Sequence, residues 1–147
     1  MVEFPTLDSC AAISEVRVTD ARTDKTIGKR FVENKSSASC EAAPRRGLRR
    51  AGASVGKPGA PTLRLTVDQI NTTENVLHRS GYEGRIVMSA ELTTSCWKDR
   101  LDGFAENYGY AGSVENYQKT LNHALDRAMI RMMSSWEFKR AACSCGG

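Results

Sequence analysis

Hydrophobic and polar residues alternate most cleanly in two stretches of the chain. In residues 62–70, Leu63, Leu65 and Val67 fall on one side of a strand, and Arg64, Thr66 and Asp68 on the other. In residues 84–97, Ile86, Met88, Ala90 and Leu92 face one way, with Val87, Ser89 and Glu91 opposite. A period of two marks a strand with one buried face, so both stretches are predicted strands. The Asn, Ser and Gly residues between them predict a hairpin connection. Residues 13–19 read as an earlier strand through Ile13, Val16 and Val18, followed by a turn at Thr23-Asp24-Lys25. Residues 27–32 read as a second short strand or an extended arm. A last strand is expected in residues 100–112, with Asp102-Gly103 as a turn or bulge. Three half-polar strands in a meander imply an antiparallel sheet with one wet face.

The period changes to helical after Ser113. Val114, Tyr117, Leu121, Leu125, Ala128, Met129 and Met132 recur at steps of three and four, while Lys119, Asn122, Asp126 and Arg127 lie away from them. This predicts a capped helix over 114–138 that lies across the dry face of the sheet. An earlier helix is expected from Ser36 or Ser37 to about Gly52, interrupted at Pro44 and Gly47 and beginning properly at Pro44. Residues 139–147 show no pattern and read as a flexible tail. Together these elements predict one α+β domain over 13–138, preceded by an arm at 1–12. Its sheet is mainly antiparallel or mixed, with four to five strands, and two helices pack on one face.

The glycine-rich stretch "AGASVGKPGAP" (residues 51–61) invites a test for phosphate binding. A phosphate loop needs Gly-x-x-x-x-Gly-Lys-Ser/Thr between a strand and a helix. Ala51 occupies the first glycine position, Pro58 stands where a hydroxyl is required, and the order here is helix to strand. The stretch reads instead as a helix cap, a short strand at Ser54-Val55, and a turn.

The chain has 147 residues, 40% hydrophobic and 26% charged, with a formal net charge of +4. This is ordinary for a soluble globular chain, and the mild positive balance suits a weakly anionic partner. No apolar run reaches the roughly 18 residues needed to span a bilayer, and residues 1–10 lack the pattern of a signal peptide. Five cysteines (Cys10, Cys40, Cys96, Cys143 and Cys145) and two histidines (His78 and His123) show no metal-ligand spacing. No metal site and no disulfide essential to the fold are expected; Cys143 and Cys145 are poorly placed to pair with each other. "LDSC", ending at Cys10, has part of the form of a lipidation box, but Asp8 and the missing apolar segment favour an ordinary cysteine.

Several segments together resemble the YajG-like family of small Gram-negative envelope lipoproteins, which is related to auxiliary lipoproteins of ABC transporters. They are "VRVTDARTDKTIG", a helix ending "LRRAG", the strand "TLRLTVDQI", and "YAGSVENYQKTLNHALDRAM". The resemblance spans residues 13 to about 138. It implies an α+β fold, periplasmic exposure and a lipidated cysteine as anchor, and it brings no catalytic residues. The chain departs from the family in lacking the signal segment, in Pro44, and in its cysteine-bearing end.

Four arginines, Arg45, Arg46, Arg49 and Arg50, form a basic helical face suited to phosphate-bearing lipid, with a plain solvated face as the simpler account. No aromatic residues interleave with them, which weighs against single-stranded nucleic acid. Tyr108 and Tyr110, among Tyr82, Trp97, Phe104 and Tyr117, are the other candidate binding residues; ordinary packing is the simpler account there too. Met129, Met132 and Met133 beside Trp136 read mainly as core. Asp20 and Arg22 share one side of a strand end and read as a pair that ties down the following turn. His123 lies near Asp126 without a nucleophile elbow, and nothing pairs two of Glu83, Glu91, Asp99, Asp102 and Glu106 for acid–base work. No catalytic residue, metal ligand or cofactor is assigned.

The expected function is a non-catalytic envelope module that binds a protein partner or lipid surface, in the periplasm or at the outer membrane, supporting transport or envelope maintenance. Two rivals stand beside it. One is a small hydrolase or transferase using His123 or Glu106 beside Tyr108 and Tyr110. The other is a basic nucleic-acid-binding module acting through the same arginines. If the resemblance fails, a cytoplasmic location is expected.

Overall fold

A computed structural model of the chain describes residues 4–26, 31–32, 42–75, 81–93, 96–107 and 114–145. The elements in order are β1 (Ala12–Ile13), β2 (Glu15–Asp20), α1 (Ala42–Arg50), β3 (Ser54–Val55), β4 (Thr62–Asn75), β5 (Gly81–Leu92), β6 (Trp97–Asn107), α2 (Val114–Ser134) and α3 (Trp136–Ser144). A four-stranded sheet runs β2-β4-β5-β6, and β1 and β3 make a separate short pair. The meander β4-β5-β6 is antiparallel, whereas β2 joins β4 in parallel, with α1 between them in sequence. The α+β class and mixed, mainly antiparallel sheet therefore agree with the sequence pattern.

Alternation fixes which face of the sheet is dry. Leu63, Leu65 and Val67 of β4 and Ile86, Met88, Ala90 and Leu92 of β5 are buried, as their period predicts. A β-bulge between Val67 and Gln69 inserts one residue, leaves Asp68 and Gln69 both exposed, and returns Ile70 to the core. Val87 was expected to face outward into solvent, yet it is buried. It occupies the central strand between Gln69 of β4 and Asp102 of β6, so its neighbours cover it.

Helix α2 packs on β5 and β6. Leu121, Ala124, Leu125, Ala128, Met129, Met132 and Met133 are all buried, and each large one contributes about 1.5–3 kcal/mol by leaving water. The helix approaches the sheet closely because small residues lie under it. A Cβ on Gly103 would overlap the carbonyl oxygen of Ala124 and lie 2.9 Å from the Cβ of Ala128. Gly103 is thus neither turn nor bulge, as its type suggested. It is a mid-strand residue opposite Ile86, selected by contact with the helix.

Three expectations for the chain ends and the segment before α1 are corrected. Residues 139–147 were read as a loose tail, but a further helix, α3, runs from Trp136 through Ser144. Ser135 caps it by accepting a bond from the Phe138 amide at 3.3 Å, Glu137 occupies its first turn, and Phe138, Ala141 and Ala142 are buried. This cap also ends α2 at Ser134 rather than near 138. The arm at 1–12 is docked from Phe4 onward: Leu7 is buried and donates its amide to the Ala51 carbonyl at 2.7 Å, and Ala12 is already in β1. Of residues 27–32, only Phe31 and Val32 are described; they have helical backbone, and Phe31 is a fully buried core residue.

The cysteines are paired, which their local spacing did not signal. Cys10 bonds to Cys143 and Cys96 to Cys145, with Cα–Cα separations of 5.1 and 6.1 Å. Cys143 and Cys145 do not pair with each other; each ties the end of α3 to a different part of the fold. Partners 133 and 49 residues apart leave no trace in local spacing. The Cys10 sulfur is occupied in this bond, so it is not a lipid attachment point.

Candidate functional site

Of the candidate binding residues, Tyr108 and Tyr110 lie outside the described residues, and the site is built on α1. Pro44 in its first turn fixes a helical φ and needs no donor. At the other end, Gly52 has φ +99°. The Ala53 amide bonds to the Leu48 carbonyl and the Gly52 amide to the Arg49 carbonyl, both at 3.0 Å. This is a Schellman motif, and it satisfies carbonyls that the last turn would otherwise leave open. Ala43, Pro44, Gly47 and Leu48 form the buried side, where Phe4 packs so close that a Cβ on Gly47 would lie 2.9 Å from its Cε1.

That seating decides where the arginines go. Arg45 and Arg46 are half-buried, and Arg49 and Arg50 are exposed, so all four fall on the side away from the core. Ala42, Arg46, Arg49 and Arg50 line an open depression of about 450 Å³. Among the described residues, two carboxylates border the cluster. Glu15 of β2 is held by Arg17 at 2.6 Å, which lowers its pKa below the usual range, with a smaller contribution from the charge of Arg45. Asp126 of α2 is half-buried; burial raises its pKa, while Arg46, His123 and Arg50 act in the opposite direction. The proximity of Asp126 to α1 is a tertiary contact between two helices, and no local pattern signals it.

The remaining candidates separate into structural roles. Arg22 closes on Asp20 through Nε at 2.8 Å and Nη2 at 2.9 Å, and its backbone amide donates to the same carboxylate at 3.1 Å. The Arg22 side chain is only 4% exposed, so the pair ends β2 as expected, and its hydrogen bonds hold Asp20 below its ordinary pKa. On the wet face, Arg85 pairs with Asp102 and Ser89 donates to Asp68 at 2.6 Å. Glu83 and Glu106 stand directly opposite each other in the β5–β6 register, a pairing of acids the sequence pattern did not reveal. Their side chains are half-buried and exposed respectively. Met129, Met132 and Met133 are core residues, whereas Trp136 is 66% exposed with Arg140 5.4 Å from its ring centre. Asp8 lies close to Cys10 and Cys143, but the two sulfurs are bonded to each other and offer no thiolate to a metal.

No family model and no curated protein matches the chain. Among solved structures it is similar to protein XCC0632 from Xanthomonas campestris, described with the family model DUF330. The two superpose with a TM-score of 0.56 at 8% identity, over 98% of this chain and 96% of the other. At that identity the likeness is one of fold.

Proposed function

We propose that this chain is a non-catalytic module of the cell envelope that binds a protein partner or a lipid surface and supports transport or envelope maintenance. The observation that carries the reading is the pair of disulfides. Such bonds persist in oxidising compartments and are reduced in the cytosol, so they favour a location outside the cytoplasm. The resemblance to YajG-like and ABC-transport auxiliary lipoproteins points the same way. Asp20 and Asp102 are held below their ordinary pKa by their arginine partners, as fits structural ion pairs. Asp126, raised by burial and near His123, is the carboxyl that an activity screen has to clear.

Thiol trapping in intact cells tests the location: Cys10, Cys96, Cys143 and Cys145 should resist alkylation until a reductant is added. Recovery of one specific envelope component by the purified chain, at low and at moderate salt, tests the binding role. Reduced cysteines in cells would refute the location. Turnover in an activity screen that His123→Ala abolishes would refute the non-catalytic reading.

A further inference from the structure

The solvent-facing side of the large sheet keeps most of its charge in closed pairs. Glu15 holds Arg17 at 2.6 Å, Asp102 holds Arg85, and Glu91 reaches Lys98 at 3.6 Å. Asp68 accepts from the Ser89 hydroxyl at 2.6 Å, and Asp99 accepts from the backbone amide of Arg100 at 2.8 Å. Two exposed cations of this face are left over. Among the described residues, neither the Arg64 nor the Arg100 guanidinium has a hydrogen-bond or ion-pair partner. Asp102, two residues along β6, feels the charge of Arg100 but is closed on Arg85.

The register brings these two arginines into one patch. Thr66, Ser89 and Arg100 form a row across β4, β5 and β6, and Arg64, Glu91 and Lys98 form the next row on the same face. Arg64 and Arg100 therefore occupy opposite corners, two strand spacings or about 10 Å apart across the sheet. All six residues line an open depression of about 520 Å³. On its other side Arg64 stands directly opposite Arg17 of β2, a like-charge pairing that destabilises a sheet when nothing neutralises it.

We propose that this depression binds the phosphate group of a small, soluble phosphate ester. The site goes beyond the envelope reading above and does not depend on it. A guanidinium presents a fork of donors that matches phosphate oxygens. A carboxylate has two oxygens and is satisfied by one such fork, whereas a tetrahedral phosphate offers oxygens to two forks entering from opposite corners. The Thr66 hydroxyl adds a donor between them. The depression is larger than a phosphate and falls within the roughly 300–1,000 Å³ of small-ligand sites, which leaves room for the group that carries the phosphate. No large apolar side chain lines it, so the acyl chains of a lipid find no contact there. The six side chains stand on a continuous hydrogen-bonded ladder, so little backbone must be ordered on binding.

The test is a titration of the isotope-labelled, disulfide-bonded chain with glycerol phosphate, inorganic phosphate and acetate at about 0.05 M salt, followed by backbone amide shifts. Saturable shifts at Thr66, Ser89 and Arg100 with both phosphates, and much weaker binding of acetate, are expected. Arg64→Gln and Arg100→Gln should each weaken binding about tenfold, the loss expected for a hydrogen bond to a charged group. Lys57→Gln/Lys119→Gln removes two exposed cations elsewhere and should change it less than threefold. Unchanged melting temperatures would show that the variants fold. Acetate binding as tight as phosphate, or a loss in the lysine variant equal to that in either arginine variant, would overturn the site. So would phosphate-induced shifts confined to other parts of the chain, or a preference for phosphatidic acid vesicles over glycerol phosphate.

Discussion

Replacing Gly103 by alanine tests the seating of α2 on the sheet. The added methyl would collide with the Ala124 carbonyl and stand 2.9 Å from the Cβ of Ala128. Both obstacles belong to the helix itself, so relief requires α2 to lift or β6 to bend. Overpacking of a core commonly costs about 1–3 kcal/mol, and a backbone obstacle places this site near the top of that range. Gly103 is outside the left-handed region, so no backbone strain adds to it. The substitution restricts the unfolded chain, which returns about 0.4–1 kcal/mol. The net loss is then about 2 kcal/mol, or a fall of roughly 4–8 °C in Tm. Gly84→Ala is the internal reference. Its obstacles are the Thr120 methyl at 3.0 Å and the Leu121 Cδ2 at 3.4 Å, side-chain atoms that can move aside. Thermal unfolding followed by circular dichroism compares the two. A Gly103→Ala protein within about 0.5 kcal/mol of the parent, or no weaker than Gly84→Ala, would refute the close approach.

Two further predictions follow from the same structure. Breaking Cys10–Cys143 with paired serines should lower stability by about 2–5 kcal/mol, read as an earlier denaturation midpoint, and an unchanged midpoint would show the bond to be dispensable. Asp126 has a raised folded pKa, so its favourable contribution is complete below about pH 4 and is lost as pH rises through the folded value. Asp126→Asn should therefore gain on the parent between about pH 4 and 7 in a stability–pH series. Asp20, lowered by Arg22, has the opposite sign: its contribution is present above about pH 4 and is lost on acidification. A gain that appeared only below pH 4 would contradict the assignment at Asp126.

Local periodicity made the sheet and α2 legible. Leu63, Leu65 and Val67 alternate because one face is dry, and Leu121, Leu125, Met129 and Met132 recur because one helical stripe is covered. The arginine face of α1 was legible for the same reason: four like charges at helical spacing need no partner to be noticed. Residues whose meaning depends on distant chain were misread. Gly103 looked like a turn because glycine usually marks one, and only the height of Ala124 above the sheet explains it. Cys10 and Cys143 carry no mutual signal across 133 residues. Helix α3 was hidden by its brevity and by the two serines before it, although Ser135 and Glu137 are the residues an N-terminus favours.

The Cys10–Cys143 bond also decides how this protein would carry tension. A force applied through chain outside the bridge reaches Cys10 at one side and Cys143 at the other, and those Cα atoms are already 5.1 Å apart. The shortest load path runs through this crosslink at the foot of α3, with Cys96–Cys145 as a second tie at the same end of the helix. The β-ladders, α1 and α2 lie inside the closed loop and are shielded from it. While the bond is intact, pulling can extend only the residues outside the bridge, and the loop within it contributes no length. Reduction would turn the same pull into one that peels the sheet.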